Sequence, residues 1–291
     1  MVPRLLSKYH LLLLTVLPSF CMAFAGPAFV GRLRTSSRLR KGLAFILRAE
    51  MSTSSANTDD VPARLRILAL HGKGGTGASF ERSLEPLVAA LNDGLASHDV
   101  FVDWDFPTAP YSLGTDESAG RAWWELPAGE RSFTASEYIG YEKSASLIEE
   151  KLGDGYDLVI GHSQGAILLS ALFATNRIAL LPRHPGACYI FNGAAIPNPF
   201  KDNLTDIQPP SEVTEKSEIL FVVGRDDQIN PPEGALHVRD CLEKGGMKVA
   251  TIFHPGGHSI PVRDKDALES MVEWIVDIAV KKQLEASSSR L

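Results

Sequence analysis

A serine flanked by glycines marks the point where a short apolar strand gives way to a helix-forming run. Ser163 lies in Gly161-His162-Ser163-Gln164-Gly165, directly after Leu158-Val159-Ile160. A strand before the turn and a helix after it form the context that a G-x-S-x-G nucleophile elbow requires. Glycines on both sides remove Cβ atoms that would crowd so tight a turn. The pattern predicts a nucleophilic Ser163 above a helix N-terminus, against the alternative of a structural turn with an idle serine.

A nucleophilic hydroxyl needs a general base within hydrogen-bond reach, and histidine has the suitable pKa. His258 lies in the glycine-rich segment Pro255-Gly256-Gly257-His258, just after the last predicted strand. Such a loop presents a side chain over the edge of a sheet, so we expect His258 to be the base. His254 is the nearby rival, and a merely structural His258 is the alternative.

The residue that orients the base is expected between the serine and the histidine along the chain. The apolar strand 219–223 leads into Gly224-Arg225-Asp226-Asp227 and then, past Ile229, to Pro231. A G-x-x-D pattern followed by an apolar residue and a proline favours Asp227. Asp226 remains the competitor, with capping of the turn as its other role.

Two backbone N–H groups are expected to stabilise the oxyanion. One belongs to Gln164, the residue after the nucleophile, and the other to the loop after an early strand. That loop is His71-Gly72-Lys73-Gly74-Gly75, and the Lys73 N–H is the candidate.

Alternation of apolar strands and helices in residues 63–283 predicts one domain with a mostly parallel sheet of about six strands, covered by helices on both faces. The predicted strands are 65–70, 100–104, 158–160, 188–192, 219–223 and 249–253. The predicted helices are 80–96, 136–152, 166–174, 234–243 and 267–280.

Residues 64–280 resemble the FSH family, small serine hydrolases of the α/β-hydrolase superfamily. The resemblance lies in His71-Gly72, the Ser-Gln-Gly-Ala string from Ser163, Gly257-His258, the segment 224–231 and Arg121-Ala122-Trp123-Trp124 before Tyr138 and Tyr141. It implies an α/β-hydrolase fold and hydrolysis of carboxylic esters or thioesters with an acyl-binding pocket. We expect small to medium acyl substrates and no cofactor. His162 departs from the phenylalanine common in relatives. Trp123 and Trp124 either line the acyl pocket or belong to the core.

Two other classes of function remain as alternatives. The segment Gly72-Lys73-Gly74-Gly75-Thr76-Gly77 also fits a dinucleotide fingerprint, with Asp103 or Asp105 as the ribose partner of an NAD(P)-dependent oxidoreductase. These acids follow Gly77 by 26 and 28 residues, later than the usual spacing of about 20. A non-catalytic binding protein on the same fold is the other alternative.

The first fifty residues are typical of a targeting presequence. Basic residues precede the apolar run 11–17, small residues follow, and a signal peptide is expected at about 1–23. The rest, to residue 50, is basic and resembles a transit segment, so delivery to a plastid is expected. Secretion, or a cytoplasmic product begun at Met51, is the alternative. Residues 51–62 are predicted to be a linker and 284–291 a C-terminal tail.

The charge and the cysteines of the chain limit the classes of ligand that we expect it to bind. Residues 1–50 hold eight basic residues and one acid, which leaves 21 basic and 34 acidic side chains, a net charge of −13, in the remainder. So acidic a body argues against nucleic-acid binding. The apolar run near the start is too short for a stable membrane span. The three cysteines show no metal spacing. A small-molecule substrate is expected, and the oligomeric state stays open.

Overall fold

The computed structural model of the chain describes residues 63–116, 119–178 and 186–288, except for the side chains of 286 and 287. The predicted presequence (1–50) and linker (51–62) lie outside the described residues, as do the last three residues of the predicted tail.

A six-stranded sheet in the order β2-β1-β5-β6-β7-β8 forms the centre of the domain, and all its strands are parallel. Its strands are β1 (Ala63–Leu70), β2 (Val100–Asp105), β5 (Leu158–His162), β6 (Cys188–Asn192), β7 (Glu218–Gly224) and β8 (Lys248–His254). The intervening β3 (Tyr111–Ser112) and β4 (Arg121–Ala122) form a separate antiparallel ribbon. The predicted six-stranded parallel architecture is therefore confirmed.

Helices cover both faces of this sheet. The helices of the described segments are α1 (Gly77–Leu95), α2 (Tyr141–Gly153), α3 (Gln164–Ala174), α4 (Lys201–Thr205), α5 (Ser211–Lys216), α6 (Pro232–Lys244) and α7 (Lys265–Ser288). Leu65, Ile67 and Ala69 of β1 pack in one cluster with α1 and α7. Leu68 and Leu70 pack in the other with α2, α3 and α6. The alternation follows from the two-residue period of a strand, and it buries both faces.

Two helix starts differ from those predicted by periodicity. Helix α1 begins at Gly77 instead of residue 80, because Thr76 caps it: its Oγ1 accepts from Ser79 N–H (3.1 Å), and Ser79 Oγ accepts from Thr76 N–H (2.8 Å). Helix α2 begins at Tyr141 instead of residue 136. The preceding segment is extended at Ile139, which pairs with Glu125, and it turns at Gly140 with φ 81°.

The C-terminal helix α7 extends to Ser288, so the first five residues of the predicted tail are helical. Within the described segments, no helix is both long and apolar enough to cross a membrane.

Candidate active site

The serine turn is built as the glycine spacing predicted. Ser163 joins β5 to α3 with φ 51° and ψ −117°, a backbone conformation that is strained for any residue with a side chain. A Cβ atom on Gly161 would lie 2.7 Å from Ala166 Cα, and one on Gly165 would lie 2.4 Å from Leu70 O. Both positions therefore require glycine, and the turn holds the Ser163 side chain at the carboxyl edge of the sheet.

Three side chains from three strand ends meet at this edge. His258 Nε2 lies 2.7 Å from Ser163 Oγ, and His258 Nδ1 lies 2.7 Å from Asp227 Oδ2. A carboxylate only accepts hydrogen bonds, so Nδ1 carries the proton and Nε2 is free to accept the serine proton. The Asp227 side chain is 3% exposed and that of His258 15%.

The aspartate is held by its own loop. Asp227 Oδ1 accepts from the backbone N–H groups of Ile229 and Asn230, both at 2.9 Å. Asp226, the competitor, is exposed, and its backbone N–H donates to Gly256 O (3.2 Å). The structure thus brings Asp227, and not Asp226, to the imidazole.

The segment that carries His258 packs closely against the loop after β7 and is hydrogen-bonded to it. Arg225 N–H donates to His254 O (2.9 Å), and a Cβ atom on Gly224 would lie 2.2 Å from Gly257 O. His254, the rival base, is buried, and its Nδ1 accepts from Gly256 N–H (3.2 Å). Burial lowers the pKa of His254, so its ring is a neutral support of this loop.

The other side of the imidazole rests on two residues that sequence patterns did not single out. Gly193 follows β6 with φ 57°, and a Cβ atom there would lie 2.9 Å from His258 Cε1. Asn230 Nδ2 donates to Gly193 O (2.7 Å) and fixes this turn. A glycine directly after a wholly buried strand was the available clue. Nothing in the sequence indicated the role of Asn230.

His162 lies beside the triad-like arrangement. Its ring centre is 5.2 Å from that of His258, and its Nδ1 lies 2.7 Å from Asn192 Oδ1. Burial, and then the nearby His258, lower the pKa of His162 to about 4. His162 is therefore neutral at pH 7, and it packs against Phe80 as an aromatic ring would.

The residues of the two expected oxyanion donors are next to, or one residue from, a contact with Ser163. Gln164 begins α3, and a Cβ atom on Gly72, the residue before Lys73, would lie 2.9 Å from Ser163 Cβ. Among the described residues, neither the Lys73 nor the Gln164 backbone N–H donates to a protein acceptor. Both amides are therefore free for a ligand.

The tandem tryptophans belong to the core. Trp123 and Trp124 have no exposed surface, and Trp124 stacks on Tyr138 at 4.3 Å between ring centres. Of the two readings left open for them, the buried core is the one seen.

The glycine loop and the two aspartates of the alternative dinucleotide fingerprint make other contacts within the fold. Gly74 N–H donates to Arg121 O (2.8 Å), so the glycine loop is closed by β4. Asp103 forms an ion pair with Arg64 (2.7 Å), and Asp105 is bound by Lys151 (2.8 Å) and the Tyr156 hydroxyl (2.6 Å). Both carboxylates thus have partners within the fold. Cys188 and Cys241 are buried free thiols.

Comparison with known proteins identifies a family. The family model described as "Serine hydrolase (FSH1)" matches residues 61–270. No curated protein sequence matches the chain.

Solved structures share the fold. Arabidopsis thaliana SOBER1 is 21% identical over 75% of this chain and 100% of its own, with a TM-score of 0.51. Zea mays acyl-protein thioesterase 2 is 19% identical over 77% and 97%, with a TM-score of 0.53. Esterase PE8 is 20% identical over 77% and 96%, with a TM-score of 0.52. The expected α/β-hydrolase fold is confirmed, and the chain belongs to the FSH1 family of serine hydrolases.

Proposed function

We propose that this serine hydrolase cleaves carboxylic esters or thioesters of small to medium acyl groups through an acyl-enzyme intermediate. Ser163 is the nucleophile, His258 the general base and Asp227 the residue that orients the base. The observation that carries the proposal is the unbroken chain Asp227–His258–Ser163, with 2.7 Å at each link, on a strained elbow. The alternative uses of this fold, a dinucleotide enzyme or a non-catalytic binder, have no comparable support.

The first half-reaction forms the acyl-enzyme. Ser163 Oγ attacks the carbonyl carbon while its proton passes to His258 Nε2, and the carbonyl π electrons move to the oxygen. Asp227 stabilises the imidazolium. As the C–O or C–S bond to the leaving group breaks, His258 returns the proton to that group. In the second half-reaction water repeats these steps on the acyl-enzyme, which releases the acid and restores the serine.

The Lys73 and Gln164 amides stabilise the tetrahedral oxyanion in this proposal. Both lie beside the nucleophile, and Gln164 N–H is at a helix N-terminus, where the partial positive charge favours an anion. One such donor contributes about 3 kcal/mol to transition-state stabilisation.

Support for the substrate class is twofold. The family is one of serine hydrolases, and two proteins of the same fold are named as an esterase and an acyl-protein thioesterase. No metal or cofactor takes part in the proposed steps.

A fluorophosphonate probe with peptide mapping tests the assignment. We expect one adduct, on Ser163, and none in Ser163→Ala. Ser170→Ala is the matched control. It removes a serine of α3, the helix that follows Ser163, and the hydroxyl of Ser170 donates a hydrogen bond to Ala166 O (3.0 Å). An adduct elsewhere, or a folded wild-type protein that resists the probe, contradicts the proposal.

We also propose plastid delivery, which rests on the sequence of residues 1–50 alone. Residues 1–62 fused to a fluorescent protein should direct fluorescence to the plastid of a plastid-bearing host cell. Deletion of 24–50 should divert it to the secretory route. A secreted or cytoplasmic full fusion contradicts the proposal.

A further inference from the structure

The loop after β1 brings one peptide unit close to the nucleophile. A Cβ atom on Gly72 would lie 2.9 Å from Ser163 Cβ and 3.5 Å from Ser163 Oγ. The peptide that joins Gly72 to Lys73 is the one whose N–H is assigned to the oxyanion. Its orientation therefore decides whether that donor points at the substrate.

The carbonyl of this peptide is held by two donors. Gly72 O accepts from Gly75 N–H (3.1 Å) and lies 2.7 Å from His71 Nδ1. A trans peptide is planar, so its C=O and N–H point in opposite directions. Two donors that fix Gly72 O therefore also fix the direction of the Lys73 N–H.

The His71 ring is fixed in the tautomer that this contact needs. His71 Nε2 accepts from the Ala109 N–H (3.0 Å), so the ring proton is on Nδ1 and is donated to Gly72 O. The ring is 1% exposed, and burial lowers its pKa, which keeps it neutral. Arg121 holds Ala109, the residue that donates to His71 Nε2, because Arg121 Nε donates to Ala109 O (3.0 Å).

A second set of contacts connects the His71 backbone to Gln164, the residue that supplies the other oxyanion donor. Gln164 Oε1 accepts from Trp123 N–H (2.8 Å), and Gln164 Nε2 donates to Trp124 O (3.0 Å). The Trp123 indole N–H donates to His71 O (2.8 Å). The residue that supplies one oxyanion amide is thus connected, through Trp123, to the residue that aims the other.

We propose that His71 is a positioning residue, which aims the Lys73 N–H at the oxyanion, and that Trp123 and the Gln164 side chain hold both halves of the oxyanion hole in register. This inference rests on the proposed function. The physical basis of the inference is that both hydrogen bonds of the His71 ring are buried and that only one tautomer of the ring can form them together. A misplaced donor of this kind slows the chemical step and leaves ground-state binding largely unchanged.

Three substitutions of His71 test the roles of its two ring nitrogens separately. His71→Asn keeps a donor near the Nδ1 position, His71→Gln keeps an acceptor near the Nε2 position, and His71→Phe removes both. We expect His71→Phe to lower kcat about 10- to 100-fold with KM nearly unchanged. His71→Asn should be about tenfold faster than His71→Gln, because only asparagine restores the bond to Gly72 O.

A transition-state analogue gives a readout that a purely structural role would not change. Ser163 adds to a trifluoromethyl ketone with transfer of its proton to His258, which places an oxyanion in the hole. The inhibition constant should rise across the three variants by the same factor as kcat falls. Tyr156→Phe is the control: it removes a bond to Asp105 (2.6 Å) away from the serine, so its kcat and inhibition constant should not change.

Wild-type labelling with the fluorophosphonate probe keeps the two hypotheses apart. If Ser163 is labelled but folded His71→Phe retains wild-type kcat and ketone affinity, the positioning role is wrong and the proposed function stands. Equal rates for the Asn and Gln variants also overturn it. If wild-type Ser163 resists the probe, the proposed function fails first.

Discussion

The exchange Asp227→Asn tests the orientation of the base, because the surrounding donors dictate how the amide must lie. Asp227 Oδ1 accepts two backbone N–H groups at 2.9 Å, while Oδ2 faces His258 Nδ1 at 2.7 Å. An amide nitrogen in the Oδ1 position would set a donor against two donors. The asparagine oxygen therefore keeps the backbone contacts, and its NH2 group faces the imidazole.

That orientation reverses the tautomer of the base. His258 Nδ1 must then accept the amide proton, so the ring proton moves to Nε2, which faces Ser163 Oγ at 2.7 Å. A protonated Nε2 cannot take the serine proton. The equivalent exchange in a serine protease triad lowers kcat by about 10⁴, which corresponds to about 5.4 kcal/mol at 1.36 kcal/mol per tenfold.

The assay is the steady-state hydrolysis of a p-nitrophenyl ester by the wild-type, Asp227→Asn and Asp226→Asn proteins. Asp226 is exposed, so its variant should stay within about threefold of wild type. Circular dichroism and thermal unfolding check the fold. A folded Asp227→Asn that retains more than about a hundredth of the activity refutes the reasoning. So does a larger loss in Asp226→Asn.

Two further predictions concern the surroundings of the base, and a third concerns a buried thiol in the core. Gly193→Ala should lower kcat at least about tenfold and destabilise the fold by about 1 kcal/mol, because its Cβ would lie 2.9 Å from His258 Cε1 at φ 57°. The unfolding free energy should fall as pH drops from about 6.5 to about 4. In that range His162 binds more protons in the unfolded chain than in the folded protein, where its pKa is about 4. Urea titrations should show a loss of up to about 3 kcal/mol in the unfolding free energy. Burial raises the pKa of the Cys188 thiol, so peptide mapping should find it unmodified by maleimide in folded protein at pH 7.

Matched variants make these outcomes decisive. Gly129→Ala also places a side chain on a positive-φ backbone, at 82°, but its Cβ meets nothing within 4 Å, so equal activity losses at Gly129 and Gly193 would contradict the steric argument. His162→Phe should flatten the pH dependence of stability, and an unchanged slope would assign it to other groups. Rapid labelling of native Cys188 would contradict its burial.

Much of the fold follows from local patterns. The six strands were found within two residues at either end. The central strands are buried on both faces and need apolar side chains nearly throughout, whereas the edge strands β2 and β8 are only partly buried. The start of α2 was missed, since the periodic side chains of 136–140 also fit the extended pairing of Ile139 with Glu125. That pairing joins residues 14 apart, and helical periodicity does not detect it.

The candidate site divides in the same way. Sequence spacing singled out Ser163, Asp227 and His258, because a glycine-flanked turn and loops after apolar strands have local signatures. It did not indicate the hydrogen bonds of the His71 ring or of Asn230 to Ala109 and Gly193, which are 38 and 37 residues away.

The sequence by itself determined which strands exist and which residues stand at their carboxyl ends. Local sterics and side-chain alternation are sufficient for that. Only the tertiary structure decided that Asp227, and not its neighbour, faces the imidazole, and that a buried histidine fixes the peptide beside the serine. The physical reason is that hydrogen bonds join groups by position in space, and the parallel order of β5 to β8 brings distant loops to one edge.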